Sequence, residues 1–129
     1  MNSGLRVNII SEGSKHATVA ISGYLTGDSA ITVLTEKSLN PQPKSLQIEA
    51  ITHAIQEKMG IFLEWGKKSE EAEVILPMES KGKLDFSAFR GLPSPADWDG
   101  TLILRSFNFQ LEPKAERKHF LILLQLEKK

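Results

Sequence analysis

The chain has 129 residues, 40% of them hydrophobic and 25% charged, with 16 Lys+Arg against 16 Asp+Glu and no Cys. That length predicts one domain over residues 1–129, with a core of its own. Zero net charge argues against nucleic acid as the main partner, because phosphate binding needs a surplus of positive charge on one face; the lack of Cys excludes disulfides, thiolate catalysis and Cys-based zinc sites.

Most of the chain has the period of strands. Leu5, Val7 and Ile9 alternate with Arg6, Asn8 and Ile10, and Ala17, Val19 and Ile21 alternate with Thr18, Ala20 and Ser22. The turn residues 11–15 lie between the two runs, which predicts an N-terminal hairpin. This start has no basic segment leading into an apolar one, so no secretory signal is expected, and no apolar run reaches the length of a membrane span. Residues 30–35, AITVLT, read as a third, β-branched strand. Residues 37–44 read as a loop, because Pro41 and Pro43 cannot donate to a ladder.

Residues 46–59, LQIEAITHAIQEKM, read two ways. Ile48, Ile51, Ile55 and Met59 fit a helical face. As a strand, Leu46, Ile48 and Ala50 share one face, and a bulge would bring Ile51, His53 and Ile55 onto it. Gly60 then opens the strand Ile61-Phe62-Leu63-Glu64-Trp65, in which Trp65 alternates with core-type residues. Glu70–Glu73 is an acidic turn, and Val74-Ile75-Leu76 reads as a short buried strand.

A Pro- and Gly-punctuated loop runs from Gly91 to Gly100, and a strand follows it. In that strand Leu102, Leu104, Ser106 and Asn108 face one way; Thr101, Ile103, Arg105, Phe107, Phe109 and Leu111 face the other. After a polar loop over 113–118, residues 119–126, HFLILLQL, suit a central strand packed on both faces, and the last two strands are expected to form a C-terminal hairpin. Glu127-Lys128-Lys129 reads as a polar stop. The fold class expected is all-β, an antiparallel β-sandwich, jelly roll or small barrel with at most one short helix.

No catalytic constellation emerges. His16, His53 and His119 lie far apart and have no ligand spacing, so each is expected at the surface or at a strand end. No Gly-x-Ser-x-Gly elbow is present. Asp97-Trp98-Asp99-Gly100 has the alternating carboxylates of a calcium loop but lacks its closing Glu, so turn chemistry is the better reading. No catalytic residue, metal or cofactor is expected. Trp98, like Phe86 and Phe89, is either a plug over the end of a sandwich or an interface anchor.

From Leu46 onward the chain resembles a family of small virion proteins of tailed bacteriophages. The resemblance rests on LQIEAITHAIQEKMGIFLEW, on VILPMESKGKLDF, on the Gly-Leu-Pro loop from Phe89 to Pro95, on the Gly-led strand DGTLILRS and on the closing strand LILLQLEKK. It implies a structural component of the virion, foremost a capsid cement or decoration protein that binds the major capsid protein on the capsid exterior after assembly in the host cytoplasm. A tail or connector protein is the nearest alternative. A carbohydrate- or ligand-binding module is the rival from another class. The resemblance implies contacts through loops 37–44, 85–100 and 113–118. Phe89, Leu92, Pro93 and Trp98 are the expected apolar anchors, with Arg90 as a polar fork at the rim and a homo-oligomer possible.

Overall fold

The computed structural model describes residues 4–25, 28–57, 59–68, 71–107 and 118–129, apart from the side chain of Phe89. Among these residues ten strands follow in order: β1 (Arg6–Glu12), β2 (His16–Leu25), β3 (Ala30–Thr35), β4 (Leu46–Ile55), β5 (Gly60–Lys67), β6 (Glu73–Met78), β7 (Lys81–Asp85), β8 (Leu92–Pro93), β9 (Trp98–Phe107) and β10 (Lys118–Lys128). Among the described residues the only helical elements are two single 3₁₀ turns, Glu36–Ser38 and Ser87–Phe89.

The strands form two antiparallel sheets, and neither closes into a barrel. Sheet A has the order β1-β2-β10-β4-β7, with β8 also against β4; sheet B has the order β3-β9-β5-β6. The inward series of both sheets make one apolar core. It includes Val19 and Ile21 of β2, Ile48 and Ile51 of β4, Ile61 and Leu63 of β5, Leu102 and Leu104 of β9, and Ile122 and Leu124 of β10. The expected sandwich is therefore what forms.

The N-terminal hairpin forms as expected, β1 against β2. The C-terminal hairpin does not: β9 lies in sheet B and β10 in sheet A. Nor do β4 and β5 pair, although they are consecutive, because the chain changes sheet between them. The ambiguity over 46–59 resolves as strand over Leu46–Ile55. In the β10–β4 ladder Leu126 meets Ile48 and Gln125 meets Ala50, so Glu49 is the extra residue of a bulge. That bulge puts Leu46, Ile48, Ile51, His53 and Ile55 on the buried side together and turns Ala50, expected with Leu46 and Ile48, to the other face.

Two burial expectations are corrected. β6 is an edge strand, paired among the described residues with β5 alone, so Val74 is 49% exposed. β10 is central but packed on one face only. Phe120, Ile122, Leu124 and Leu126 are buried, while Leu121 on the outer face is 41% exposed.

Every edge carries a feature that discourages pairing with another chain. β1 has a register shift at Ile10 and β3 one at Val33; β6 has one at Ile75 together with Pro77. β7 is short and presents Lys81 and Lys83.

Candidate functional site

The loop between β7 and β9 carries four of the five residues expected at an interface, Trp98 being the first of β9, and it is tied down along its length. Asp85 Oδ1 accepts the Ser87 N–H at 2.9 Å and starts the 3₁₀ turn. Hydrogen bonds from the Ser87 hydroxyl and N–H hold the Asp85 carboxyl below its ordinary range. Arg90, at φ 63°, ends the turn, its N–H donating to Ser87 O at 3.0 Å. Gly91 lies at φ 88° and donates to Phe86 O at 2.8 Å. A Cβ on Gly91 would stand 3.0 Å from Ile48 O, so both its φ and its closeness to β4 require glycine.

Beyond Gly91 the loop becomes a strand. Leu92 and Pro93 align with Ile48 and Gln47 of β4. Ser94 N–H donates to Leu46 O at 2.8 Å, and Leu46 N–H donates back to Ser94 Oγ at 3.1 Å. Phe86 N–H reaches Glu49 O, at the bulge, at 2.8 Å. Asp97 O accepts Lys68 N–H at 2.9 Å, which ties the loop to the end of β5. A segment so fully hydrogen-bonded holds one shape.

The expected anchors separate on this frame. Arg90 and Pro93 are exposed. Leu92 is half-buried and packs on the core. The Phe89 side chain lies outside the described residues. Trp98 is a core residue, only 6% exposed, and this corrects its assignment as an anchor. It opens β9, and its parity with Gly100, Leu102 and Leu104 turns it inward. Its ring stands edge-on to Trp65, and its Nε1–H donates to Thr101 O at 2.8 Å. Trp65 is buried, as expected.

Of the other expected contact loops, 37–44 is exposed apart from Leu39 and Pro43, which are buried. Of 113–118, residues 113–117 lie outside the described residues, and Lys118 is buried.

The candidate chemical groups remain apart. His16 is exposed, 3.5 Å from Glu49 Oε1; His119 is exposed, with its ring 5.8 Å from that of Tyr24. His53 departs from expectation: it is buried, and its Nδ1 donates to Ser80 O at 3.0 Å. Asp99 accepts Thr101 N–H at 2.9 Å and the Thr101 hydroxyl, which is the turn chemistry expected of that motif. Among the described residues no group of three or more His, Asp and Glu is placed to hold a metal ion, and no helix is long and apolar enough to cross a membrane.

Among the described residues three charged side chains are buried that were not expected to be. Lys118 and Lys128 stand at the two ends of the core-facing series of β10, and both are buried. Lys118 Nζ donates to Glu57 O at 2.8 Å; Lys128 Nζ donates to Asn40 O at 3.0 Å and to Glu12 Oε2 at 3.1 Å. Lys128 is therefore the last residue of the strand and not part of a polar stop. The signal was present, since 118 and 128 share the even parity of Phe120, Ile122, Leu124 and Leu126. Glu64 is the third. It lies on the outer side of β5, 5% exposed, with Oε2 at 3.1 Å from Arg105 Nε and Oε1 without a partner. Phe62 and Phe107 stack beside it, ring centroids 4.3 Å apart.

Comparison with known proteins finds no matching family model and no matching curated protein.

Proposed function

We propose that this chain is a structural component of a tailed-phage particle, a cement or decoration protein on the capsid exterior whose partner is the major capsid protein. One observation carries the reading beyond the sequence resemblance. The Gly-Leu-Pro loop that bears the resemblance is fixed by hydrogen bonds to β4 and yet exposes Arg90 and Pro93. A preorganised backbone loses little entropy on docking, and an exposed guanidinium suits recognition of a protein surface. Copies bound across capsomer seams would bury area that only the expanded lattice presents, and binding would stabilise that lattice by mass action. Repetition around a symmetric shell would multiply weak contacts.

Quantitative mass spectrometry of purified particles tests this. A copy number comparable to the major capsid protein is expected. A handful of copies would move the protein to the tail or connector, and absence would remove it from the virion.

A ligand-binding module has one specific observation in its favour. The stacked Phe62 and Phe107 lie on the outer face of sheet B beside Arg105 and the buried Glu64, whose Oε1 lacks a donor. Aromatic faces next to a carboxylate and a guanidinium can hold a sugar ring. Chemical-shift changes at those four residues on titration with glycans would establish it.

A further inference from the structure

The outer face of sheet A is a separate surface, and the strand registers map it row by row. One row crosses the sheet as Arg6, Ser22, Leu121, Ala54 and Lys81; the next as Asn8, Ala20, Leu123, Thr52 and Lys83. Towards the other end the rows hold Thr18, Gln125, Ala50 and Asp85, and then His16, Glu127 and Gln47. The face therefore has a basic half (Arg6, Lys81, Lys83) and an acidic half (Asp85, Glu127 and, at the bulge, Glu49). Within the acidic half, Lys129 lies 3.6 Å from Glu127 and His16 lies 3.5 Å from Glu49. An apolar strip of Leu121, Leu123, Ala20 and Ala54 lies within the two basic rows, and Leu121 is 41% exposed. A depression of 370 Å³ opens beside it at the basic end, lined by Ala54, Lys81, His119 and Leu121 among others.

We propose that this face is the interface of a homodimer, in which two copies pack face to face with strands antiparallel, basic half over acidic half. A face whose two ends carry opposite net charge is complementary to itself only in that orientation. With the two-fold axis through the Leu123 row, Leu123 meets its own copy, and Lys81 of each subunit lies over Asp85 of the other. Lys83 falls on the axis row at the sheet edge, where its ammonium turns to solvent. The area is adequate. Five strands at about 4.8 Å spacing, over about eight steps of 3.4 Å, span about 500 Å² of plane, and a corrugated side-chain layer exceeds its plane, approaching the roughly 800 Å² per partner of a stable interface. The edges of both sheets carry bulges, Pro or Lys, which directs association to a face and away from strand addition.

The proposal goes beyond the virion reading and does not depend on it, because it is tested on the isolated full chain without any capsid. Sedimentation equilibrium is expected to give a monomer–dimer equilibrium. Leu121→Glu should abolish the dimer. Lys81→Glu and Asp85→Lys should each weaken it about tenfold, and the double swap should restore it to within a few fold of the native protein. Asp85→Lys also removes the acceptor of Ser87 N–H, so a circular dichroism melt accompanies it; if that variant does not fold, Leu121→Glu and Lys81→Glu carry the test. A monomer up to about millimolar concentration, a different stoichiometry, a dimer indifferent to Leu121→Glu, or a folded double swap weaker than both single variants would overturn the proposal.

Discussion

Trp65 and Trp98 meet edge to face on the neighbouring strands β5 and β9, with ring centroids 5.8 Å apart and planes at 80°. The pair closes one end of the core. Trp98→Ala is therefore expected to cost about 3–5 kcal/mol, the usual range for deleting a buried Trp. Urea unfolding would measure it. A loss under about 1 kcal/mol would place the indole outside the core and return it to the list of interface anchors.

Lys128 and Glu12 tie the end of β10 to the tip of the N-terminal hairpin, and Asn40 joins them. The two residues should respond differently to substitution. Lys128→Met replaces a buried charge with an apolar chain of similar length and should be tolerated. Glu12→Ala leaves the buried ammonium with only a carbonyl. It should cost about 2 kcal/mol, less than the 3–5 of a fully buried pair, because Glu12 reaches solvent and Asn40 O still accepts. Equal losses in the two variants would contradict this account.

The same contact sets a pH dependence. The Asn40 N–H first, and Lys128 second, hold the Glu12 carboxyl below its ordinary value of 4.5. A depressed carboxyl adds stability that is complete above its unfolded pKa and is lost as pH falls through its folded pKa. The loss is therefore expected below about pH 4.5 and not between pH 5 and 8. Glu12→Gln should flatten that part of the profile of unfolding free energy against pH. An unchanged acid limb would show that Glu12 plays no part in it.

Arg90 combines an exposed guanidinium with a backbone that favours glycine, at φ 63°. Arg90→Gly should therefore raise stability, by about 0.5–1 kcal/mol at most, because relief of the left-handed conformation exceeds the added freedom of the unfolded chain. On the proposed cement role it should at the same time weaken attachment to particles. Thermal melting and particle co-sedimentation read the two effects separately, and a destabilised variant would show that the side chain has a structural role.

The class of fold was legible because single strands carry their own period, and the errors lie where parity or partner choice decides. Across the Glu49 bulge the core series steps from Ile48 to Ile51, and that three-residue step is what imitates a helical face. Trp98 read as a loop residue beside Pro95 and Gly91, yet its two-residue spacing to Gly100 and Leu102 already placed it on the inner face of β9. Alternation tells which residues face the core but not which strand lies alongside, so β9 and β10 resembled a hairpin while belonging to different sheets. In the sequence Lys118 and Lys128 look like polar punctuation, because a lysine seldom ends buried; the carbonyls that receive them, from Glu57 and Asn40, are distant in sequence. Of the candidate site, the loop was visible and its rigidity was not, because that comes from hydrogen bonds to β4, some forty residues earlier.

The most direct test of the proposed cement role is binding of the purified chain to phage capsid shells before and after expansion, read by co-sedimentation. The cement reading expects saturable binding to expanded shells, little to unexpanded ones, and loss of binding in Arg90→Gly with the fold intact. Equal binding to both shells, or none to either, would contradict it.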